Sequence, residues 1–415
     1  MNPFKETYKS IDKIYKNWKS INVKPYDKNE VDPYTRVRII LMNGTEFEAI
    51  WNTHRFNRHC PNNDVRRAMA MIRRGEQQQQ KRIANLKPRN ESILEHTLGY
   101  EQLAIDLTAI LAQKEKNPYV KKQLDFALLE DFDHLYRYSN LLDLEKGENA
   151  EKIIGNYTES MPGRPTVSEY RHPYDDVDFY INNYLSDPVT RLNTSIITAA
   201  EQQTMNYYLN VANIYESELG RKLYAEIAMI EEQHVTGYGS LNDPTVNMYE
   251  CMVMHEYTEC YLYWSCYNDE TDERIKDIWL MHFEEELSHL HYAVQLLAKY
   301  CGKVWQQLFP EGGDFPEPII FKPQKEYVRK VLKSVRLTGN LEDFEDVNNL
   351  DDKFRFFSYN RGTMGSAETM ASHMVISKRI QKVGEDFRLQ DKAHPIEELS
   401  ARDCDNTEIG RVKGK

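Results

Sequence analysis

Residues 199–209 read AAEQQTMNYYL and residues 229–238 read MIEEQHVTGY. Glu201 in the first stretch is followed thirty residues on by Glu231 and thirty-three on by His234, both in the second. The same order of acid, acid and imidazole occurs twice more. Upstream, GYEQLAIDL (99–107) and LLEDFDHLYRY (128–138) place Glu101, Asp131 and His134 at identical spacings, and downstream MHEYTECYLYW (254–264) and FEEELSHLHYA (283–293) do so with Glu256, Glu286 and His289. A spacing that recurs over such a length marks one structural unit repeated along the chain. Residues three apart on a helix share a face, so each acid and histidine at i and i+3 address one point in space. With a turn midway, arms of about fifteen residues bring the first acid back to the level of that pair. Each hairpin then presents two carboxylates and one imidazole. Around Glu231 the apolar residues Leu223, Ile227 and Ile230 fall on the same stripe, which turns the glutamate inward, where an unpaired charge is costly.

Two facing hairpins of this kind offer four carboxylates and two imidazoles, the ligand set of a carboxylate-bridged pair of iron or manganese ions. On these residues the chain resembles the ferritin-like superfamily of di-iron carboxylate proteins, the group of rubrerythrins and bacterioferritins, over roughly 91–301. The resemblance implies a mainly α fold, a ferritin-like helical bundle built from three helical hairpins. It implies metal ligands at Glu201, Glu231, His234, Glu256, Glu286 and His289, with Glu101, Asp131 and His134 as a further half-site. It also implies two iron ions, or iron with manganese, and an oxidoreductase that activates oxygen or peroxide. Rubrerythrins carry a separate iron on four cysteine thiolates. The cysteines here (60, 251, 260, 266, 301 and 404) form no CxxC pair, so an external electron donor is expected. The other readings are a ferroxidase or metal-sequestration protein and a non-catalytic ferritin-like scaffold.

The family's site needs two hairpins, and three are present. Ligand identity favours the second with the third, because both carry Glu and Glu-x-x-His while the first has Asp131. Topology favours the first with the second, since the long 146–187 connection can cross the length of a bundle while the few residues near 239–243 barely can. The expectation adopted is the second with the third, with the unpaired half-site open to completion across a possible homodimer axis. Glu259 and His282, one turn from Glu256 and Glu286, are candidates for extra ligands or for partners that orient one. Tyr208 and Tyr263, seven residues past the first glutamate of their repeats, are read first as core packing. His172 in the long connection is read as a structural anchor.

The rest of the chain bounds these readings. Its 415 residues carry 65 acidic and 53 basic side chains, a formal charge of -12, which argues against a general nucleic-acid coat. No run of about eighteen apolar residues occurs and the start lacks an apolar signal region, so neither a membrane span nor secretion is expected. With unpaired cysteines, this places the protein in the cytoplasm. The spacing divides the chain into 1–90, an N-terminal extension; 91–301, the bundle; 302–387, a C-terminal extension; and 388–415, a flexible tail. Within the first, TRVRIILMNGTEFEAIW is expected as a β-hairpin over 36–51 turning at Asn43-Gly44, and 62–86 as a basic surface helix with a solvated face. Asn117-Pro118, Asp187-Pro188 and Asp243-Pro244 read as helix starts, with further helical stretches near 324–337 and 366–385.

Overall fold

A computed structural model describes residues 1–160, 170–334, 337–364 and 369–384. The Met161–Pro165 stretch and the 388–415 tail singled out in the sequence lie outside the described residues. The protein is mainly α, 69% helical, with thirteen α-helices and one two-stranded antiparallel sheet among the described residues. The helices are α1 (Trp18–Ile21), α2 (Pro33–His59), α3 (Asn63–Ala84), α4 (Ile93–Lys114), α5 (Pro118–Lys146), α6 (Ala150–Ile153), α7 (Pro188–Ile214), α8 (Glu218–Ser240), α9 (Met248–Asp269), α10 (Glu273–Cys301), α11 (Lys325–Leu332), α12 (Arg355–Met364) and α13 (Ala371–Val383). No described helix is long and apolar enough to cross a membrane.

Two compact units are interleaved along the chain. The first comprises Met1–Glu91, Tyr180–Gln203 and Asn242–Phe321; the second comprises Ser92–Phe179, Thr204–Leu241 and the described residues from Lys322 on. In the first unit α2 packs on α3 and α9 on α10, while α2 also meets α9 and α3 meets α10. In the second, α4 packs on α5, α8 lies against α5, and α13 covers both α5 and α8.

The largest departure from expectation is residues 36–51, which form the middle of helix α2 rather than a β-hairpin. Asp32 caps this helix by accepting from the Tyr34 N–H at 2.8 Å, with Pro33 in the first turn. This is the same aspartate-proline start signal that marks α7 in the sequence. The β-branched run succeeds as helix because tertiary burial outweighs a weak local preference: Val37, Ile39, Ile40, Leu41, Met42 and Ala49 are all buried. Gly44 serves close packing instead of a turn, since a Cβ there would meet Gln203 Cβ at 2.8 Å. Helix α3 likewise departs from a merely solvated face. Val65, Met69, Ile72, Glu76, Gln79 and Ile83 recur at helical spacing and are buried, while Arg67 remains exposed.

Other starts differ in detail. Asn117 caps α5, whereas α9 begins not at Asp243-Pro244 but with Asn247, whose side chain forms a capping box with Glu250. The sheet occurs near the C-terminus instead, as β1 (Leu337–Asn340) and β2 (Asp343–Asp346), with Leu337 opposite Asp346. It leans on the second unit: Phe344 stacks on Phe126 at 4.1 Å between ring centroids, and the Leu341 N–H donates to Asp175.

Candidate metal centres

The long helices bring the repeated acids and histidines into two separate buried clusters, one on each set of hairpins. The expectation paired the second hairpin with the third; among the described residues the third hairpin's Glu256, Glu286 and His289 are grouped with Glu76. In one cluster, within the second unit, Glu101, His134 and Glu231 each offer a ligand atom within 4.8 Å of one another, and Asp131 and Glu231 both face His234 Nδ1, while Glu201 is buried in the first unit. In the other, Glu76, Glu256, Glu286 and His289 form one such group and Glu46, Glu76 and Glu259 another, with Glu76 shared. All of these side chains are buried. The third hairpin thus completes its cluster with α2 and α3, the segment expected to carry a β-hairpin.

Those two helices contain a fourth copy of the repeat. Glu46 is followed thirty residues on by Glu76 and thirty-three on by Gln79, so glutamine occupies the position of histidine. The spacing was available in the sequence. A search for a terminal imidazole passes over it, and the strand-like run around Glu46 hid the helix.

In the second unit the histidines are oriented from behind. His234 Nε2 lies 2.9 Å from Glu130 Oε2, leaving Nδ1 toward Asp131 Oδ1 (3.4 Å) and Glu231 Oε2 (3.2 Å). Glu130 is gripped by Arg171 Nη1 at 2.7 and 2.8 Å, and Arg171 Nε reaches Asp176 at 3.1 Å. A carboxylate holding the far nitrogen of a histidine fixes the ring for a ligand on the near side. Neither Glu130 nor Arg171 belongs to the repeat, although Glu130 adjoins Asp131. His134 Nδ1 lies 2.9 Å from Glu231 Oε1. Burial alone would raise the Glu231 carboxyl, but His134 and His234 beside it hold it down at about 2. Tyr208 donates its hydroxyl to Glu101. His172 instead caps a short 3-10 turn by accepting from the Tyr174 N–H.

The first unit has the same plan with different chemistry. His289 Nδ1 faces Glu76 Oε1 at 3.0 Å, Glu286 Oε2 at 3.2 Å and Glu256 Oε2 at 3.8 Å. Gly75 lets this imidazole lie against α3, since a Cβ there would collide with His289 Nε2. Gln79 Nε2 donates to Glu286 Oε1, as His134 approaches Glu231 in the other cluster. Tyr263 donates to Glu46, as Tyr208 does to Glu101. Behind Tyr263, His282 Nδ1 lies 3.0 Å from its hydroxyl and the other ring nitrogen meets Arg82. Burial and the Arg82 cation push His282 well below the usual histidine range, so it is a neutral orienting group outside the ligand groups.

These residues fit a cation. Both carboxylate oxygens of Glu256 and of Glu259, and His289 Nε2, are buried and make no hydrogen bond within the described residues. Burial, with repulsion from Glu76 and other neighbouring acids, pushes Glu46, Glu256 and Glu259 well above the usual carboxylate range. Interiors rarely leave such groups unsatisfied, and a divalent ion relieves both the missing partners and the repulsion. The buried carboxylate and histidine groups could therefore hold metal in either unit. Comparison with protein-family models, with curated proteins and with solved structures returned no match for this chain.

Proposed function

We propose that this chain is a metal-dependent oxidoreductase of the ferritin-like di-iron kind, acting on oxygen or peroxide with electrons from an external donor. The observation that carries this reading is the second-unit cluster, where His134 and His234 flank the shared Glu231 and no solvent-exposed residue takes part. Glu101, Asp131, Glu231, His134 and His234 would hold the ions. A bound iron or manganese pair would supply the one-electron steps that reduction of oxygen or peroxide needs.

The chain's own groups supply orientation, charge balance and protons. Arg171 and Glu130 hold His234 in its ligating orientation and keep one ring nitrogen out of play. The Tyr208 hydroxyl keeps a proton on its oxygen, because burial and the Glu101 carboxylate push it well above the usual tyrosine range. A cavity of about 30 Å³ is lined by His234, Arg171, Asp176, Asp178, Gly237 and Tyr238. That suffices for about two waters and for a reactant of that size, but not for a large substrate. Burial raises Asp176 to about 6 and Asp178 to about 7, which suits both for passing protons near neutral pH.

Metal analysis of the purified chain, combined with oxygen and peroxide consumption under a chemical reductant, tests this reading. Iron or manganese in the protein with sustained turnover is expected, and metal content near zero would sink it. The acid-rich first-unit cluster favours a second reading, ferroxidase or metal sequestration. Mineral accumulation in place of sustained turnover would select it.

A further inference from the structure

Aligned by their shared spacing, the two clusters differ by a paired exchange. At the thirty-three-residue position the α4–α5 hairpin has His134 and the α2–α3 hairpin has Gln79. Three residues after the first glutamate of the partner hairpin, α7 has Thr204 and α9 has Glu259. All four side chains are buried. One cluster has lost an imidazole and gained a carboxylate, and the geometry follows the exchange: His134 belongs to the group with Glu101 and Glu231, whereas Glu259 belongs to the group with Glu46 and Glu76.

We infer that the two centres select different metals: the Glu46, Glu76 and Glu259 position of the first unit is a site for a hard divalent cation of the manganese class, while the Glu101, Glu231 and His134 position of the second takes iron. This rests on the metal-binding part of the function proposed above and adds a division of labour to it.

The acids alone would not carry this. The second observation is the set of buried polar atoms aimed into the site. Both oxygens of the fully buried Glu259 make no hydrogen bond within the described residues, and Glu259 offers a ligand oxygen within 4.8 Å of those of Glu46 and Glu76. Gln79 has its amide nitrogen engaged by Glu286, which leaves the carbonyl oxygen as its donor atom. Glu46 is fixed by Tyr263, itself braced by His282 and Arg82. His255 Nε2 stands 3.5 Å from Glu259 Oε2 without hydrogen-bonding it, and its other nitrogen faces Glu48 at 3.2 Å. The mutually close ligand atoms at this position are all carboxylate oxygens, and such oxygens suit manganese and magnesium, whereas imidazole suits iron and the later transition metals.

The test uses the full chain, stripped by a chelator, reloaded without oxygen in manganous salt in excess over ferrous salt, desalted, and analysed for metal by mass spectrometry and by the manganous electron-spin signal. The wild type is expected to hold both metals. The double variant Gln79→His with Glu259→Thr, which gives the first centre the second centre's donors, should lose about one manganese per chain and gain iron. The reciprocal pair, His134→Gln with Thr204→Glu, should gain manganese at the expense of iron, and it decides the matter if the first variant does not fold. An unchanged manganese-to-iron ratio in a folded variant overturns the inference. So does a wild type that takes up iron alone, a result that would leave the oxidoreductase reading standing. A wild type that binds neither metal sinks both.

Discussion

In the second unit His234 is anchored by Glu130 and Arg171, and His134 shares Glu231 with it. In the first unit His289 is the one histidine in the ligand groups among the described residues, Gln79 replaces the other imidazole, and Glu259 adds another acid. The two sets of hairpins therefore keep one spacing and one pair of tyrosine-to-glutamate hydrogen bonds while differing in donor chemistry. Helix geometry fixes where the ligand positions fall, and residue choice at those positions decides what they can hold. A repeat can drift in donor type without losing its frame, because the burial of the surrounding helices does not depend on the donor.

The sharpest way to break this comparison is to empty one centre at a time. Asp131→Ala should strip metal from the second-unit cluster alone, and His289→Ala from the first-unit cluster alone, each removing about half of the bound metal. The loss of bound-ion stabilisation, about 4 kcal/mol at saturating metal, should lower the melting temperature by about 10 °C. Metal analysis with calorimetry on both variants checks this. Loss of all metal from either one would mean that the clusters are not independent.

A smaller effect is expected from Arg171→Met, which leaves Glu130 buried without its guanidinium. Destabilisation of about 3 kcal/mol and a loss of about tenfold or more in metal affinity should appear at the second centre only. Urea unfolding and competitive chelation measure the two. An equal loss at the first centre would contradict the assignment of Arg171 to His234.

The smallest effect concerns Asp178, whose carboxyl burial raises to about 7 from an ordinary 3.8. The folded protein retains this proton to higher pH than the unfolded chain does. The associated stability is thus present at low pH and lost as pH rises through about 7. Asp178→Asn can still accept from Tyr119 and removes that loss. Relative to wild type, the metal-free variant should gain on the order of 1 kcal/mol between pH 5 and pH 8, the figure being reduced for the partial exposure of the group. A flat difference in unfolding free energy across that range would show that Asp178 ionises normally.

Much of the helical frame was legible in advance. Caps at Asn117 and the thirty-residue spacing located α4, α5 and α7 to α10, because helix periodicity and capping are local signals. The N-terminal pair was not. Around Glu46 the local cues of Asn-Gly and a β-branched run point to a hairpin, and only packing of α2 against α3 and α9 reverses them. The positions of Glu130 and Arg171 behind His234 were equally hidden, since forty-one residues separate them in sequence.

The order of acids and imidazoles along the chain, and hence the heights at which they recur, was fixed by residue spacing, because the rise of a helix is the same wherever it packs. Which hairpins face one another was decided by tertiary structure alone. Every hairpin carries a similar inward stripe, so the choice among partners depends on chain connection and on close-approach sites such as Gly44 and Gly75, whose meaning appears only when the neighbouring helix is in place.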